Sequence, residues 1–265
     1  MASVAYHLAV SGALALMVMM FVIWLISVRL NNAGLVDVGW SLGLVWLALW
    51  YGWQAPGYAP RRWLMAGMVT FWGTRLALHL IRRIASEPED GRYQQLRREW
   101  AGKNINLRFL FFFQFQALLD VVLSLPMLLA ALNPAPELSP LEYAGVALWL
   151  VAVMGESVAD AQLAAFKRDP ANRGRVCQRG LWHYSRHPNY FFEWFIWVAW
   201  LVYALASPWG WLAVICPALM LFFLYRVTGI PATEAQALRS RGEEYRRYQE
   251  TTSAFVPWWK KTASS

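Results

Sequence analysis

Cysteine and histidine are scarce in this sequence. Of its 265 residues, only two are cysteine and four are histidine. Cys177 lies in a basic stretch and Cys216 in an apolar run, so the pair shows neither metal-ligand spacing nor a disulfide framework. We therefore expect no metal site and no stabilisation by disulfides.

Charged residues are also few, at 15% of the chain, and 16 acidic residues face 24 basic ones. The chain is 58% hydrophobic, contains 17 tryptophans and has a positive mean hydropathy. This composition is typical of a polytopic membrane protein. A net charge of +8 would suggest nucleic acid in a soluble chain. In a membrane protein it follows from the enrichment of Lys and Arg in cytoplasmic loops, so we expect no nucleic-acid partner. The oligomeric state stays open.

Seven apolar runs come close to the roughly 20 residues that a helix needs to cross a bilayer. They cover about 8–28, 36–53, 63–81, 109–132, 141–161, 190–206 and 209–225. The first run lacks a basic leading segment and a small-residue cleavage site, so we expect a retained span and not a signal peptide. The sequence therefore predicts an all-α polytopic membrane protein with seven transmembrane helices, in a single membrane domain over 1–265.

The basic residues predict the orientation. With the amino terminus outside, 21 of the 24 Lys and Arg residues fall in cytoplasmic segments. Arg61 and Arg62 then lie outside, and Arg75 lies within a span. We therefore expect the carboxyl terminus in the cytoplasm and a polar cytoplasmic helix over about 231–249. We also expect the protein to be embedded in the lipid of a bacterial cytoplasmic (inner) membrane.

Ionisable side chains inside the spans are candidates for function, because each is costly to insert. Nearly all of them fall in the predicted cytoplasmic half, as expected for a pocket open to the cytosol, and only Asp120 approaches the midplane. Structural roles are the alternative: Arg75 and His79 could extend their polar ends to the membrane surface, and Asp120 could form a hydrogen bond to a neighbouring helix. The candidates are Asp37, Arg75, His79, Asp120, Glu156, Asp160 and Glu193, with Gln114, Gln116 and Asn189 as neutral companions.

The stretch 160–200 concentrates these features. Asp160 ends one apolar run, a basic loop with two glycines follows, and Asn189 and Glu193 open the next run. Arginine recognises phosphate with a planar fork, so the loop suits a dinucleotide that carries a 2′-phosphate. S-adenosylmethionine has no phosphate and would not need these cations. The loop could also serve only as a topology signal.

Several motifs carry a family resemblance. They are Gly180-Leu181-Trp182, Arg186-His187-Pro188-Asn189-Tyr190, Glu193-Trp194, Glu243-Glu244-Tyr245-Arg246-Arg247-Tyr248, Phe255-Val256-Pro257, Val36-Asp37-Val38-Gly39-Trp40 and Trp72-Gly73-Thr74-Arg75-Leu76. At these residues the chain resembles the steroid 5α-reductase-like superfamily, specifically its bacterial branch of largely uncharacterised membrane proteins.

The resemblance implies a seven-helix fold, NADPH held in the cytosolic half, and reduction of a carbon–carbon double bond conjugated to a ketone. It also implies substrate-side helices over about 1–132 and cofactor-binding helices, loop and tail over about 141–257. Lys167 stands where the reductases usually have an arginine. The implied cofactor residues are Asp160, Lys167, Arg175, Arg186, His187, Asn189, Tyr190, Glu193 and Tyr245.

The catalytic positions depart from the family pattern. Steroid reductases polarise the substrate ketone with a glutamate and with a tyrosine on the third helix. This chain offers Asp37 near the first position and Trp72 near the second. A buried acid at Asp37 could hydrogen-bond the ketone and stabilise the enolate. Without the tyrosine, a lipid or isoprenoid enone is as plausible a substrate as a steroid.

The sequence therefore predicts an NADPH-dependent oxidoreductase that acts on CH–CH groups of a lipophilic substrate, with a role in lipid metabolism. The Arg-His-Pro-x-Tyr and Glu-x-Tyr-x-x-Tyr elements also occur in isoprenylcysteine carboxyl methyltransferase-like proteins. The alternative is thus a membrane methyltransferase that uses S-adenosylmethionine. A non-enzymatic lipid-binding protein is a third possibility, but it would not need a cation cluster beside buried carboxylates.

Overall fold

The computed structural model describes residues 2–227 and 229–261, and over these ranges the chain is helical and has no named β-strand. Short helical turns of other types occupy Pro170–Asn172, Gly210–Val214 and Phe223–Val227. The α-helices are α1 (Ala2–Leu30), α2 (Leu35–Gln54), α3 (Ala59–Ser86), α4 (Gly91–Glu99), α5 (Ile105–Leu123), α6 (Leu125–Leu132), α7 (Pro140–Arg168), α8 (Leu181–Tyr184), α9 (Pro188–Ala204), α10 (Ile215–Phe222) and α11 (Ile230–Thr251).

Six helical segments of the described chain are long and apolar enough to cross a membrane. They are Ala2–Leu30, Leu35–Gln54, Ala59–Ser86, Ile105–Leu123, Pro140–Arg168 and the segment Gly210–Thr251, whose apolar part precedes α11. The all-helical class is confirmed, and the six apolar helices indicate an integral membrane protein. The run predicted at 190–206 corresponds to α9, which has 17 residues and is shorter than a usual span.

The run predicted as one span over 109–132 forms two helices. α5 ends at Leu123, Ser124 follows it, and α6 begins at Leu125. Pro126 lies in the first turn of α6, where its missing N–H costs nothing, but a continuous helix would need that donor. The hydroxyl of Ser124 donates to the carbonyl of Val121 at 2.9 Å and is 3.1 Å from the hydroxyl of Tyr51.

The described chain divides into two compact units. Unit 1 contains the described residues of Met1–Glu142 together with Tyr203–Cys216. Unit 2 contains Tyr143–Val202 together with the described residues of Pro217–Ser265. The assignment of substrate and cofactor roles to about 1–132 and 141–257 stays a prediction.

In unit 1, α2 packs against α1, α3, α5 and α6. Glycines make this close approach possible, because a Cβ at Gly39 would overlap Met20 of α1 and one at Gly73 would overlap Val45. In contrast, α1 leaves most of its apolar residues outside the packed unit, as a lipid-facing helix does. The loop after α6 is held by Arg61, which pairs with Glu142 inside the unit.

In unit 2, the described parts of α7 and α9 approach closely where the ring of Phe192 covers Gly155. The helix predicted over 231–249 is confirmed as α11, Ile230–Thr251, which bends at Gly242 with a φ of 52°. Val176 from the basic loop packs with Ala237, Tyr245 and Tyr248 of α11. Unit 2 therefore joins the loop, the start of α9 and the polar helix.

Candidate functional site

The end of the basic loop is anchored to α7 in unit 2. The indole N–H of Trp182 donates to the carbonyl of Ala159 at 2.9 Å, and the backbone N–H of Leu181 donates to Gln162 Oε1 at 2.8 Å. Gly180 has a φ of 57° and faces the amide of Gln162, so a side chain at this position would be strained and would clash. These contacts place the Gly-Leu-Trp motif beside Asp160.

Asp160 and Asn189, two predicted cofactor residues, are in contact. The side-chain amide of Asn189 donates to Asp160 Oδ1 at 3.3 Å, which joins the last turns of α7 to the first turn of α9. Glu193 is half-buried and follows Asn189 by one helical turn, so it lies on the same side of α9. The site therefore contains two carboxylates and an amide, groups that can accept hydrogen bonds from hydroxyl or amide donors of a ligand.

Two predicted cofactor cations, Lys167 and Arg175, are exposed. Neither forms an ion pair with any residue that the structure describes. The loop beneath Arg175 is nevertheless fixed, because its carbonyl accepts from Arg241 at 3.0 Å and the next N–H donates to Glu244 at 3.0 Å. Their charged ends thus remain available to a phosphate.

Two further predicted residues, Arg186 and His187, contact a carboxylate that the sequence analysis did not select, Glu234 of α11. Arg186 Nε donates to Glu234 Oε1 at 2.6 Å, and His187 Nε2 lies 3.3 Å from the same oxygen. Gln249 donates to Glu234 Oε2 at 2.7 Å. Arg186 and His187 need a carboxylate partner, but α11 contains Glu243, Glu244 and Glu250 as well as Glu234. Their spacing in the sequence does not show which of them is the partner.

This cluster joins the start of α9 to α11. Arg186 Nη1 also donates to the carbonyls of Gln249 at 2.9 Å and Thr252 at 2.5 Å. The ring of His187 stacks on Tyr190 at 5.3 Å, and the Tyr190 hydroxyl is 3.2 Å from Thr233 Oγ1.

Tyr245 is buried and packs edge to face on Tyr248 at 5.8 Å. Arg186, His187, Tyr190 and Tyr245 therefore serve the packing of unit 2, and their contact with a cofactor stays a prediction.

The predicted catalytic residue Asp37 lies in the first turn of α2, in unit 1. The phenol of Tyr93 donates to Asp37 Oδ1 at 2.6 Å, and Arg92 Nη2 donates to Oδ2 at 3.1 Å. Both of these partners come from α4, a short helix in the polar connection after α3 that the sequence analysis did not predict.

Electrostatics tie α4 to this carboxylate. Burial raises the pKa of Tyr93 and the charge of Asp37 raises it further, so the phenol stays protonated and remains a donor. Burial also acts to raise the pKa of Asp90, but the charge and hydrogen bonds of Arg92 outweigh it and lower that pKa. Asp90 in addition caps α4 by accepting from the Arg92 N–H at 2.9 Å.

Trp72, the second predicted catalytic residue, is fully buried in α3 and meets Trp40 edge to face at 6.0 Å. Its indole can donate a hydrogen bond but cannot accept one.

Asp120 is fully buried in α5 beside Gly43, and neither carboxyl oxygen bonds any residue that the structure describes. The interhelical bond that the sequence suggested for Asp120 is therefore not formed within the described chain.

The six apolar helical segments of the described chain define the class, a polytopic integral membrane protein. Residues 23–252 match the family model described as Protein of unknown function (DUF1295), and the chain belongs to that family. Every residue assigned to the site from the sequence lies inside the matched range. Comparisons with curated proteins and with solved structures gave no match.

Proposed function

We propose that this protein is a membrane-embedded, NADPH-dependent reductase of a carbon–carbon double bond conjugated to a ketone, in a steroid-like or other lipid or isoprenoid substrate. The observation that carries the proposal is the anchoring in unit 2 of the end of the basic loop beside the Asp160–Asn189 pair, in a loop whose Arg175 is exposed and forms no ion pair within the described chain. The family resemblance of these motifs supports the same activity. The proposal also includes seven spans and an outside amino terminus in a bacterial cytoplasmic membrane.

The residues of unit 2 fit a phosphorylated dinucleotide. Arg175 and Lys167, exposed and without ion pairs in the described chain, would bind phosphate, and the 2′-phosphate is the group that separates NADPH from NADH. Asp160, Asn189 and Glu193 would accept hydrogen bonds from ribose hydroxyls or from the carboxamide. When bound, NADPH supplies the hydride.

The proposed activating group for the substrate ketone is Asp37, with Trp72 as the second member of the substrate site. Stabilisation of an enolate oxygen requires a hydrogen-bond donor held in place before the reaction, so Asp37 would have to carry a proton when the ketone binds. Arg92 and Tyr93 hold the carboxyl in one position, and both of its oxygens accept hydrogen bonds from them in the structure. The same bonds give Asp37 a structural role, so its catalytic role has to be measured apart from stability.

A methyltransferase that uses S-adenosylmethionine is the second candidate. The Asp160, Asn189 and Glu193 side chains would equally well bind ribose hydroxyls and the amino group of that cofactor. The free loop cations favour NADPH, because S-adenosylmethionine carries no phosphate.

Binding measurements on the purified full-length protein test both candidates. NADPH, NADH and S-adenosylmethionine are titrated into wild type, Arg175→Ala and, as a control, Arg239→Ala, which removes an exposed cation of α11. We expect NADPH to bind best and Arg175→Ala to weaken it by about tenfold to a hundredfold, with little change for NADH. Equal losses for both nucleotides would remove Arg175 from the site, and tight binding of S-adenosylmethionine alone would establish the alternative.

A further inference from the structure

Hydrogen bonds hold the segment after α11, residues 252–261, against the residues that precede α9. The backbone N–H of Arg186 donates to the carbonyl of Ser253 at 2.9 Å, and the hydroxyl of Ser185 donates to the carbonyl of Phe255 at 2.7 Å. The backbone N–H of Trp258 donates to the carbonyl of Tyr184 at 3.0 Å. The segment 252–261 is thus an integral part of unit 2.

The contacts of Phe255 show where the segment 252–261 lies along the length of the apolar helices. Its buried ring packs on Phe191 at 5.6 Å and Trp194 at 5.7 Å, in the first turns of α9, and on Tyr225 at 5.3 Å. Tyr225 lies where the apolar stretch that includes α10 ends. The segment therefore crosses the ends of two apolar helices, and the end of an apolar helix is where a chain leaves the hydrocarbon core for the headgroup region.

The same segment presents large apolar side chains outward. Trp258 is 68% exposed and Trp259 is 73% exposed, and Val256 is exposed as well. Exposed tryptophans are costly in water, but they are enriched at membrane–water interfaces, where the ring meets both apolar and polar surroundings. The placement at the helix ends and the exposure of these rings are explained together by contact with lipid.

A cavity of about 410 Å³ lies between these tryptophans, the end of α11 and Arg186, which precedes α9. Arg186 and Lys261 line it, together with Ser253 and Glu250. Arg186 uses Nε and Nη1 in bonds within unit 2, but its Nη2 forms no hydrogen bond with the described residues. With Thr252 also in its wall, the cavity offers two cations, two hydroxyls and one carboxylate.

We propose that this cavity binds the phosphodiester headgroup of a membrane glycerophospholipid, with Trp258 and Trp259 against its glycerol and upper acyl chains. Arg186 Nη2 and Lys261 would donate to the phosphate oxygens. Because Glu250 lines the cavity and Glu234 already pairs with Arg186, most of the positive charge is offset, and a headgroup with a single phosphodiester charge fits better than one with several phosphates. The site is separate from the Asp160–Asn189 pair and does not depend on the proposed reductase activity.

The test uses the delipidated full-length protein in detergent. Dihexanoylphosphatidylglycerol, a soluble lipid with one phosphodiester, is titrated by calorimetry, and glycerol 3-phosphate serves as the same chemistry without acyl chains. Arg186 is left intact because its loss would also break the Glu234 ion pair. The variants are Lys261→Gln and the double variant Trp258→Ala/Trp259→Ala. Matched controls are Lys103→Gln and Trp211→Ala, which remove an exposed cation and an exposed indole of unit 1.

We expect the lipid to bind wild type more tightly than glycerol 3-phosphate does. Each site variant should lose about tenfold or more in lipid affinity while its melting temperature and that of the controls stay near wild type. Equal affinity for glycerol 3-phosphate would identify a free-phosphate site and overturn the proposal. So would equal losses in the control variants, or displacement of the lipid by NADPH together with loss of NADPH binding in the tryptophan variant. Failure of wild type to bind NADPH at all would instead remove the reductase proposal and leave this one intact.

Discussion

Tyr93 donates its phenolic hydrogen to Asp37 Oδ1 at 2.6 Å, a contact between residues 56 positions apart. It joins the short helix α4 to the first turn of α2 and, with Arg92, holds the carboxyl that the family resemblance assigns to substrate activation. Structural and catalytic roles of Asp37 can be compared through Tyr93, because removing the phenol takes away one bond to the carboxyl and leaves the carboxyl itself in place.

The first prediction compares Asp37→Asn with Tyr93→Phe. Tyr93→Phe should cost about 1–3 kcal/mol, the range for a buried hydrogen bond to a charged acceptor, and should leave most of the turnover. Asp37→Asn should lower stability by a similar amount and should also cut the single-turnover rate of an accepted enone by orders of magnitude, with NADPH affinity unchanged. Melting temperature, NADPH binding and single-turnover rate are measured in both. A folded Asp37→Asn protein with wild-type turnover would contradict the catalytic role.

The sequence predicted those parts of the fold that depend only on local composition. The apolar runs predicted the long helices, and the polar pattern after residue 230 predicted α11. The break at Ser124 was missed because hydropathy does not register a proline inside an apolar run, although Pro126 was the available signal.

The side-chain partners could not be predicted in the same way. Arg186 meets Glu234, 48 residues away, and Asp37 meets Arg92, 55 residues away. Such pairs depend on how helices pack. The chain contains several carboxylates and arginines, and the local sequence around each does not show which of them will pair. The motifs identified one member of each pair, and the structure supplied the other.

The second prediction concerns Glu234. Glu234→Gln leaves the Arg186 guanidinium, only 10% exposed, without its counter-charge, which should destabilise the protein by roughly 3 kcal/mol or more. The control is Glu243→Gln on the same helix, whose pair with Arg246 is exposed on both sides and should matter little. Thermal unfolding in detergent measures both variants. Equal melting temperatures would mean that the Arg186–Glu234 pair does not hold α9 to α11.

The third prediction concerns topology. With the amino terminus outside, the cytoplasmic segments, which include the Lys167–Arg186 loop and the stretch from Arg226 onward, contain 21 of the 24 basic residues. A reporter that is active only in the periplasm should therefore be silent when it is fused after Ser265, and one active only in the cytoplasm should be active there. The opposite pattern would reverse the orientation and remove the cytosolic access that NADPH binding requires.

The last prediction concerns Arg61, which the sequence analysis placed on the outer side of the membrane and which is 1% exposed in the structure. Its guanidinium pairs with the fully buried Glu142 and donates to the carbonyls of Asn133 at 3.0 Å and Ala135 at 2.7 Å. Removing one member of a buried pair leaves the other charge without compensation, so Arg61→Ala should destabilise unit 1 by roughly 3–5 kcal/mol.

The neighbouring cation provides the control for this prediction. Arg62→Ala removes a side chain that donates to the carbonyl of Gly52 at 2.9 Å but forms no ion pair with the described residues, so its effect should be much smaller. Arg61→Met/Glu142→Leu removes both charges, and its melting temperature should lie above that of Arg61→Ala because no buried charge is left alone. If the double variant is no more stable than Arg61→Ala, the cost arises from the lost carbonyl bonds of the 133–142 loop and not from the isolated carboxylate of Glu142.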